Sequence, residues 1–237
     1  MIASYPIRWL DPSDAEAPFP DVENALREPN GLLAIGGDLS PSRLLRAYRQ
    51  GIFPWSSSDQ PILWWSPDPR TVLRPPQLKV SRSLRRTLKR NVFSVTADVA
   101  FRRVIQGCAE SRGSDTGTWL TRDMVEAYCR LHKMGYAHSV ESWFDGELVG
   151  GLYGLNLGKV FFGESMFTRR NDASKVAFVR LVEHLHEWGY ALIDCQVASA
   201  HLTSLGADAV PRRDFITALN RYCDEPTHWK AWDDSYG

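Results

Sequence analysis

The sequence is poor in cysteine, and its four cysteines form neither a metal-binding nor a disulfide pattern. Cys108, Cys129, Cys195 and Cys223 lie far apart, and no C-x-x-C pair occurs. Neither a zinc knuckle nor a disulfide framework is therefore expected. This use of cysteine is typical of a reducing compartment.

Long apolar runs and a leader segment are also missing. No segment approaches the ~18 consecutive apolar residues of a membrane span. Residues 1–20 lack the basic start and apolar core of a signal peptide. We therefore expect a cytoplasmic protein without a membrane partner. The formal net charge is +0 at pH 7, so attraction to nucleic acid has to come from a local patch.

Motifs for several common chemistries are absent. There is no Walker loop and no G-x-G-x-x-G, and Ser165 in "GESMF" does not occupy a G-x-S-x-G nucleophile elbow. His184 and His186 are two residues apart on a predicted helix, so they lie on different faces and do not form the H-E-x-x-H zinc pattern.

The chain is otherwise ordinary in composition, with 43% hydrophobic and 24% charged residues. Such a chain of 237 residues can build one substantial core, or a small domain joined to a larger one. We place a boundary near residue 65, which predicts a small N-terminal domain over 1–65 and a larger domain over 66–237. Within the first, Ser40-Pro41 predicts a helix that Gly51 ends.

The segment from Gly51 to Arg70 combines Trp55, Trp64 and Trp65 with prolines and serines. Proline removes a backbone donor and restricts φ, so this segment is neither one long helix nor a central strand. The indoles could fill a core beneath a loop or stack on a flat ligand. The segment alone leaves both possibilities open.

A stretch of one-sided charge follows. Between Arg70 and Ala97 there is no acidic residue, while eight basic residues occur. A solvated helix face is the usual reading of such a run, but a neutral protein that concentrates uncompensated positive charge here favours polyanion binding. Val80, Leu84 and Leu88 predict a helix for part of the stretch. The basic residues are Arg70, Arg74, Lys79, Arg82, Arg85, Arg86, Lys89 and Arg90.

The remaining chain predicts an α/β (α+β) fold with a mixed sheet flanked by helices. One helix is predicted to follow Asp98, which would cap it, and a second is predicted to begin at Leu120. Three strands follow, over 137–144, 147–155 and 159–164, the first two joined by Asp145-Gly146, a strong hairpin signal. A helix capped by Asn171 or Asp172 and a buried strand over 191–196 complete the pattern, whose order resembles the acyltransferase fold of the GNAT superfamily.

Two polar positions interrupt buried strands. Asp194 and Gln196 flank Cys195 at a strand end, and alternation predicts that they share one face while Cys195 takes the other. Ligands of open α/β sheets bind at such strand ends, although Asp194 could instead cap the next turn. Glu164 in "FFGESMF" needs a partner or a pocket opening, because isolated burial raises the pKa of a carboxyl; a salt-bridged core glutamate is the alternative. His201 is interpreted as structural.

The segment "ESMFTRRNDASK" before the predicted helix lacks the Q/R-x-x-G-x-G/A loop that cradles the pyrophosphate of acetyl-CoA in GNAT enzymes. A GNAT-like frame without this loop calls for another acyl donor, and the basic stretch suggests one carried on RNA. A CoA-dependent N-acetyltransferase with a degenerate loop and a non-catalytic RNA-binding module remain as rivals.

Several motifs in order resemble the leucyl/phenylalanyl-tRNA–protein transferase family, from about Glu23 to Phe215. The resemblance implies transfer of Leu or Phe, less readily Met, from aminoacyl-tRNA to an N-terminal Arg or Lys, which marks the acceptor for the bacterial N-end rule pathway. It implies no metal and no CoA. The motifs include "EPNGLLAIGGDLSPSRLLRAYRQGIFPW", "GTWL", "GGLYG", "FFGESMF", "NDASK", "LIDCQ" and "HLTSLGA".

The resemblance also assigns residues to the donor. Trp55 and Trp119 would sandwich the 3′-terminal adenosine, whereas Trp64 and Trp65 are left to packing between the domains. A pocket for the amino-acid side chain would be lined by Leu152, Phe161, Met166 and Phe178. The chain departs from the family pattern at two of these positions, with Leu152 where the resemblance implies Met and Phe178 where it implies Leu. The tRNA backbone would contact Lys79, Arg82, Arg85, Arg86, Lys89 and Arg90.

Little activation is expected, because the aminoacyl ester is already reactive and about 10% of an N-terminal amine with a pKa near 8 is free base at pH 7. Orientation can supply much of the rate. We expect Asp194, acting with Gln196, to orient the amine and help to deprotonate it, and Glu164 to hold the aminoacyl-adenosine end. The ribose hydroxyls could instead relay the proton.

Overall fold

The computed structural model describes residues 7–57, 59–111 and 120–227, together with Trp232. Two sheets, seven α-helices and two short 3₁₀ helices lie in these ranges. In the described residues, no helix combines the length and apolarity needed to cross a bilayer.

The N-terminal part forms a four-stranded sheet in the order β1-β2-β4-β3. Its helix α1 begins as predicted, with the Ser40 Oγ accepting from the backbone N–H of Arg43 and Pro41 in the first turn, and Gly51 follows its end with φ 71°. The elements are β1 (Arg8–Leu10), β2 (Leu32–Gly36), α1 (Pro41–Arg49), β3 (Phe53–Pro54) and β4 (Leu63–Trp65).

The larger part forms a seven-stranded mixed sheet in the order β11-β5-β10-β9-β8-β7-β6. Among the described strands of this sheet, only β9 and β10 pair in parallel. The elements are β5 (Arg70–Leu73), α2 (Arg82–Arg90), β6 (Ser94–Ala97), α3 (Phe101–Glu110), α4 (Arg122–Lys133), β7 (Ala137–Phe144), β8 (Glu147–Leu157), β9 (Val160–Thr168), α5 (Ala173–Glu187), β10 (Leu192–Gln196), α6 (Ala200–Ser204), β11 (Asp208–Val210) and α7 (Arg212–Tyr222).

The α/β class with a mixed sheet and helices on both sheet faces is confirmed. Gly150 and Gly151 are consecutive on β8 and therefore point to opposite faces. A Cβ at Gly150 would meet Ala173 at the start of α5, and one at Gly151 would meet Val104 on α3. The predicted hairpin is also present, since Asp145 and Gly146 both have positive φ, of 50° and 79°.

The structure corrects three local predictions. Asp98 does not cap α3: it has φ 59°, accepts from the Ser139 N–H at 2.8 Å and lies 2.6 Å from the Nδ1 of His138, so it joins the start of α3 to β7. Asp172 occupies the cap position of α5 without capping, because its oxygens bind Lys175 and Thr87. Strand β9 continues past the predicted end at Glu164 because β8 offers it partners up to Thr168.

The predicted division at residue 65 lies between the two sheets, since β4 ends at Trp65 and β5 starts at Arg70. One hydrophobic core nevertheless spans both parts, in which Tyr48 of α1 packs against Phe162 of β9 with ring centroids 5.2 Å apart. The separation into two domains therefore stays a prediction.

Close packing of α5 on β8 predicts a cost for adding one methyl group. A Cβ at Gly150 would lie 2.6 Å from the Cβ of Ala173 and 2.9 Å from helix backbone, so Gly150→Ala should lower the free energy of unfolding by about 1–3 kcal/mol. At Gly163 the nearest atom is the Asp194 carbonyl oxygen at 3.4 Å, and Gly163→Ala is the matched control with a smaller loss. Urea unfolding measures both; equal losses would contradict the packing argument.

Candidate active site

A cavity of about 460 Å³ opens between the end of β10, the middle of β8 and β9, helix α5 and the chain around β3. Its walls are largely apolar. All four residues predicted for a side-chain pocket line it, namely Leu152, Phe161, Met166 and Phe178. The three predicted catalytic residues, Glu164, Asp194 and Gln196, line the same cavity, as does Trp55. The structure thus brings together all eight of the predicted catalytic and donor-binding residues that it describes.

The end of β10 departs from regular alternation. The pairing of β10 with β5 shifts between Asp194 and Gln196, and Gln196 has φ 62°. Such a bulge turns side chains out of the two-residue repeat. Asp194, Cys195 and Gln196 all line the cavity at this bulge, and Cys195 packs with Ile193 against the core beneath α5, as the predicted alternation of Asp194 and Cys195 requires.

Asp194 is fully buried and bound on both oxygens. Arg70 donates from Nε to Oδ1 at 2.8 Å and from Nη2 to Oδ2 at 2.6 Å, and the backbone N–H of Gln196 donates to Oδ1 at 2.9 Å. Both side chains of this ion pair are 0% exposed. Bidentate pairing of this kind is among the strongest polar contacts in proteins, so Asp194 is held in place with a guanidinium as its counter-ion.

Arg70 therefore differs from the other basic residues of its stretch. Its guanidinium lies between the rings of Phe53 and Phe215, at 4.7 and 4.8 Å from their centroids, and donates to the Gly51 carbonyl. The prediction of eight uncompensated charges is wrong at this residue, because Asp194 lies 124 residues away in sequence and was invisible to a local count.

Glu164 has hydrogen-bond donors in place of a salt bridge. Its Oε1 accepts from the Tyr48 hydroxyl at 2.7 Å and from Gln196 Nε2 at 2.8 Å, and its Oε2 accepts from the Tyr128 hydroxyl at 2.8 Å. Burial raises the pKa of Glu164 to about 7, against the opposing effect of the two tyrosine donors. The alternative of a salt-bridged core glutamate is not what the described residues form.

Trp55 stands at the cavity with 47% of its side chain exposed. Trp65 supports it, since the Trp65 indole N–H donates to the Trp55 carbonyl at 2.7 Å and the two ring centroids are 5.7 Å apart. Trp64 is completely buried and donates to the Gly36 carbonyl. Trp119, the other predicted stacking residue, lies outside the described residues.

The basic residues predicted to contact tRNA lie on and before α2. All six are exposed, and they form no ion pair with any described residue. Leu84 anchors the helix to Val176 and Val179 of α5, which leaves the charged positions outward. The six are Lys79, Arg82, Arg85, Arg86, Lys89 and Arg90.

Sequence reasoning missed three residues of the site. Tyr48 and Tyr128 fit helix core positions, so their hydroxyl contacts to Glu164 had no separate signal. Arg70 begins the basic stretch, so nothing in the local sequence distinguished it from the exposed cations that follow. His201, interpreted as structural, lines the cavity, where burial lowers its pKa. Among the described residues no three His, Cys, Asp or Glu side chains are arranged to hold a metal ion.

Comparison with protein families matches residues 72–220 to leucyl/phenylalanyl-tRNA protein transferase and residues 37–68 to the N-terminal domain of that protein. Curated relatives bear the same name. The one from Stutzerimonas stutzeri is 59% identical over 95% of this chain and 100% of its own length. The one from Aromatoleum aromaticum is 60% identical over 90% of this chain and 91% of its own.

Solved structures resemble the chain only distantly. L-PGS from Bacillus licheniformis has a TM-score of 0.40 at 10% identity, covering 68% of this chain and 52% of that one. A GCN5-related N-acetyltransferase from Kribbella flavida has a TM-score of 0.36 at 13% identity, covering 71% and 60%.

The buried ion pair predicts a large stability loss when one partner is removed. Arg70→Met keeps much of the volume but leaves Asp194 buried without its counter-ion, which should lower the free energy of unfolding by about 3–5 kcal/mol. Arg102→Met is the control, because Arg102 pairs with Glu126 on the surface and should change it little. Urea unfolding at pH 7 compares the two. If Arg70→Met lowered the free energy of unfolding no more than Arg102→Met does, the Arg70–Asp194 pair would not be what stabilises the site.

Proposed function

Because this chain belongs to the leucyl/phenylalanyl-tRNA protein transferase family, and is therefore an aminoacyltransferase, we propose that it transfers Leu or Phe, less readily Met, from aminoacyl-tRNA to an N-terminal Arg or Lys. The product would be a bacterial N-end rule degradation signal, formed in the cytoplasm. The observation that carries this proposal is one apolar cavity with an exposed indole and a carboxyl–amide pair on its walls.

The donor would enter side chain first. Leu152, Phe161, Met166 and Phe178 offer an apolar wall to Leu or Phe, while shape at Cβ would disfavour Val and Ile by about 10–200-fold per methylene. The terminal adenine would stack on Trp55, and Trp119 is proposed as the second plate. The six exposed cations on and just before α2 would contact the tRNA backbone, and such contacts position a nucleic acid without reading its sequence.

The amine would be oriented by Gln196. Its Nε2 donates to Glu164 at 2.8 Å, so its amide oxygen is left to accept an N–H from the incoming amine. Asp194, held by Arg70, fixes the Gln196 backbone. Asp194 is expected to orient the amine and to help deprotonate it, and its ion pair supports the first of these roles. Glu164 would hold the aminoacyl-adenosine end.

The reaction requires no net gain or loss of protons. The amine nitrogen attacks the ester carbonyl, the C–N bond forms, the bond to the ribose oxygen breaks, and the proton lost by nitrogen ends on that oxygen. Holding amine and ester in line is a large part of what a protein can add to such a reaction.

Labelled leucyl-tRNA tests the function with peptides that begin with Arg, Lys or Ala. Label should pass to the Arg and Lys peptides but not to the Ala peptide, and ribonuclease pretreatment should abolish transfer. Gln196→Ala should lower kcat by about 10²-fold through lost orientation, whereas Gln106→Ala, on the exposed face of α3, should not. Binding of tRNA without transfer would favour an RNA-binding module, and stabilisation by acetyl-CoA a CoA-dependent acetyltransferase.

Trp55 provides a separate test of donor binding. Loss of a stacked base costs roughly 1–3 kcal/mol, so Trp55→Ala should raise KM for leucyl-tRNA by roughly 5- to 150-fold, and Trp55→Phe by less. The control is Trp9→Ala, because Trp9 is 63% exposed and does not line the cavity. Steady-state transfer measures KM; an unchanged KM in Trp55→Ala would refute the stacking role.

A further inference from the structure

Three oxygen-bearing side chains close a triangle beside the cavity. The Tyr48 and Tyr128 hydroxyl oxygens are 2.6 Å apart, Tyr48 is 2.7 Å from Oε1 of Glu164, and Tyr128 is 2.8 Å from Oε2. The tyrosines come from α1 and α4 and are essentially inaccessible to solvent. All three separations are those of O–H···O hydrogen bonds.

The number of hydrogens depends on the charge of Glu164. Each tyrosine supplies one hydroxyl hydrogen, and a carboxylate supplies none. With Glu164 ionised, two hydrogens serve three contacts. With Glu164 protonated, three hydrogens serve three contacts: each tyrosine hydroxyl both donates and accepts, while the acid donates from one oxygen and accepts at the other.

Gln196 determines the direction in which the hydrogen bonds run around the triangle when Glu164 is protonated. Its Nε2 donates to Oε1 of Glu164 at 2.8 Å, so Oε1 suits the carbonyl role and the proton belongs on Oε2. Glu164 then donates to Tyr128, Tyr128 to Tyr48, and Tyr48 back to Oε1. In the ionised form Oε1 and Oε2 instead accept from Tyr48, Tyr128 and Gln196, which are charge-assisted bonds.

We propose that Tyr48 and Tyr128 are positioning residues that let Glu164 gain and lose a proton beside the cavity while its oxygens stay hydrogen-bonded. The inference deepens the proposed function and rests on it for its use: a proton that leaves the amine nitrogen has a place on Glu164 before it ends on the ribose oxygen.

The surroundings of Glu164 support a proton that exchanges near neutral pH. The pKa of Glu164 is raised to about 7. Burial is the largest cause and Asp194 also raises the pKa, while Tyr48, Tyr128 and Arg70 lower it. Burial raises the pKa of both tyrosines well above the ordinary value, so they keep their hydrogens. The side chain of Tyr153 on β8 also lies beside the hydrogen-bonded triangle, and its aromatic ring centroid is 5.4 Å from that of Tyr128.

These contacts determine in which direction the pKa of Glu164 should change when a tyrosine hydroxyl is removed. A hydroxyl that donates to the carboxylate favours the ionised form more than the neutral one, because hydrogen bonds to a charged acceptor are the stronger. Tyr48→Phe or Tyr128→Phe should therefore raise the pKa of Glu164, by about one unit. A role in packing alone would leave the pKa unchanged, since phenylalanine keeps the ring.

The experiment is a ¹³C NMR titration of side-chain carboxyls in the free full-length protein labelled in glutamate, with Glu164→Gln to assign the resonance. The parent should titrate near pH 7, and each Tyr→Phe variant about one unit higher. Tyr190→Phe is the matched control, because Tyr190 is also buried but its hydroxyl accepts from Trp232; its midpoint for Glu164 should equal that of the parent.

A parent midpoint near the ordinary glutamate value of about 4.3 would overturn the proposal without any variant, and so would unchanged midpoints in Tyr48→Phe and Tyr128→Phe. If one variant does not fold, the other decides. Because the titration needs no substrate, it tests the role of the two tyrosines separately from the proposed function. Raised midpoints without leucyl transfer would refute only the proposed function. Transfer with unchanged midpoints would refute only the role of Tyr48 and Tyr128.

Discussion

The buried ion pair between Arg70 and Asp194 is the interaction on which the site depends. Both side chains are 0% exposed, and a lone charge in such surroundings would be costly. The pair joins neighbouring strands β5 and β10, while the guanidinium lies between Phe53 of the N-terminal sheet and Phe215 of α7. Because Asp194 also accepts from the Gln196 backbone, the pair sets where β10 stops being regular and where its last side chain points.

From Gln196 the same positioning extends to the N-terminal part of the molecule. Gln196 donates to Glu164 on β9, and Glu164 accepts from Tyr48 on α1 and Tyr128 on α4. Four elements far apart in sequence therefore meet at one carboxyl. A shift of α1 relative to the large sheet would disturb the hydrogen bonds of Glu164 directly, which gives a physical reason for the small N-terminal sheet to share a core with the large one.

Local structure could be predicted from the sequence wherever local chemistry decides it. Ser40-Pro41 and Gly51 bound α1, Asp145-Gly146 makes the hairpin, and motif resemblance identified the side chains around the cavity. Long-range choices could not be predicted. The partner of Arg70 is 124 residues away, and the bulge at Gln196 lies where β10 pairs with β5. The partners of Asp98, His138 and Ser139 of β7, are 40 and 41 residues away. The role of Trp119 remains a prediction.

Charge is distributed so that attraction and chemistry lie in different places. With a formal net charge of +0, the protein as a whole has no strong attraction for a polyanion, yet the six cations on and just before α2 are exposed and unpaired with described carboxylates. At the cavity the opposite holds: Asp194 is neutralised by Arg70, and Glu164 sits where burial holds its pKa near neutrality. A phosphate backbone would therefore be drawn to the helix, while an uncharged Leu or Phe side chain would meet the apolar wall formed by Leu152, Phe161, Met166 and Phe178.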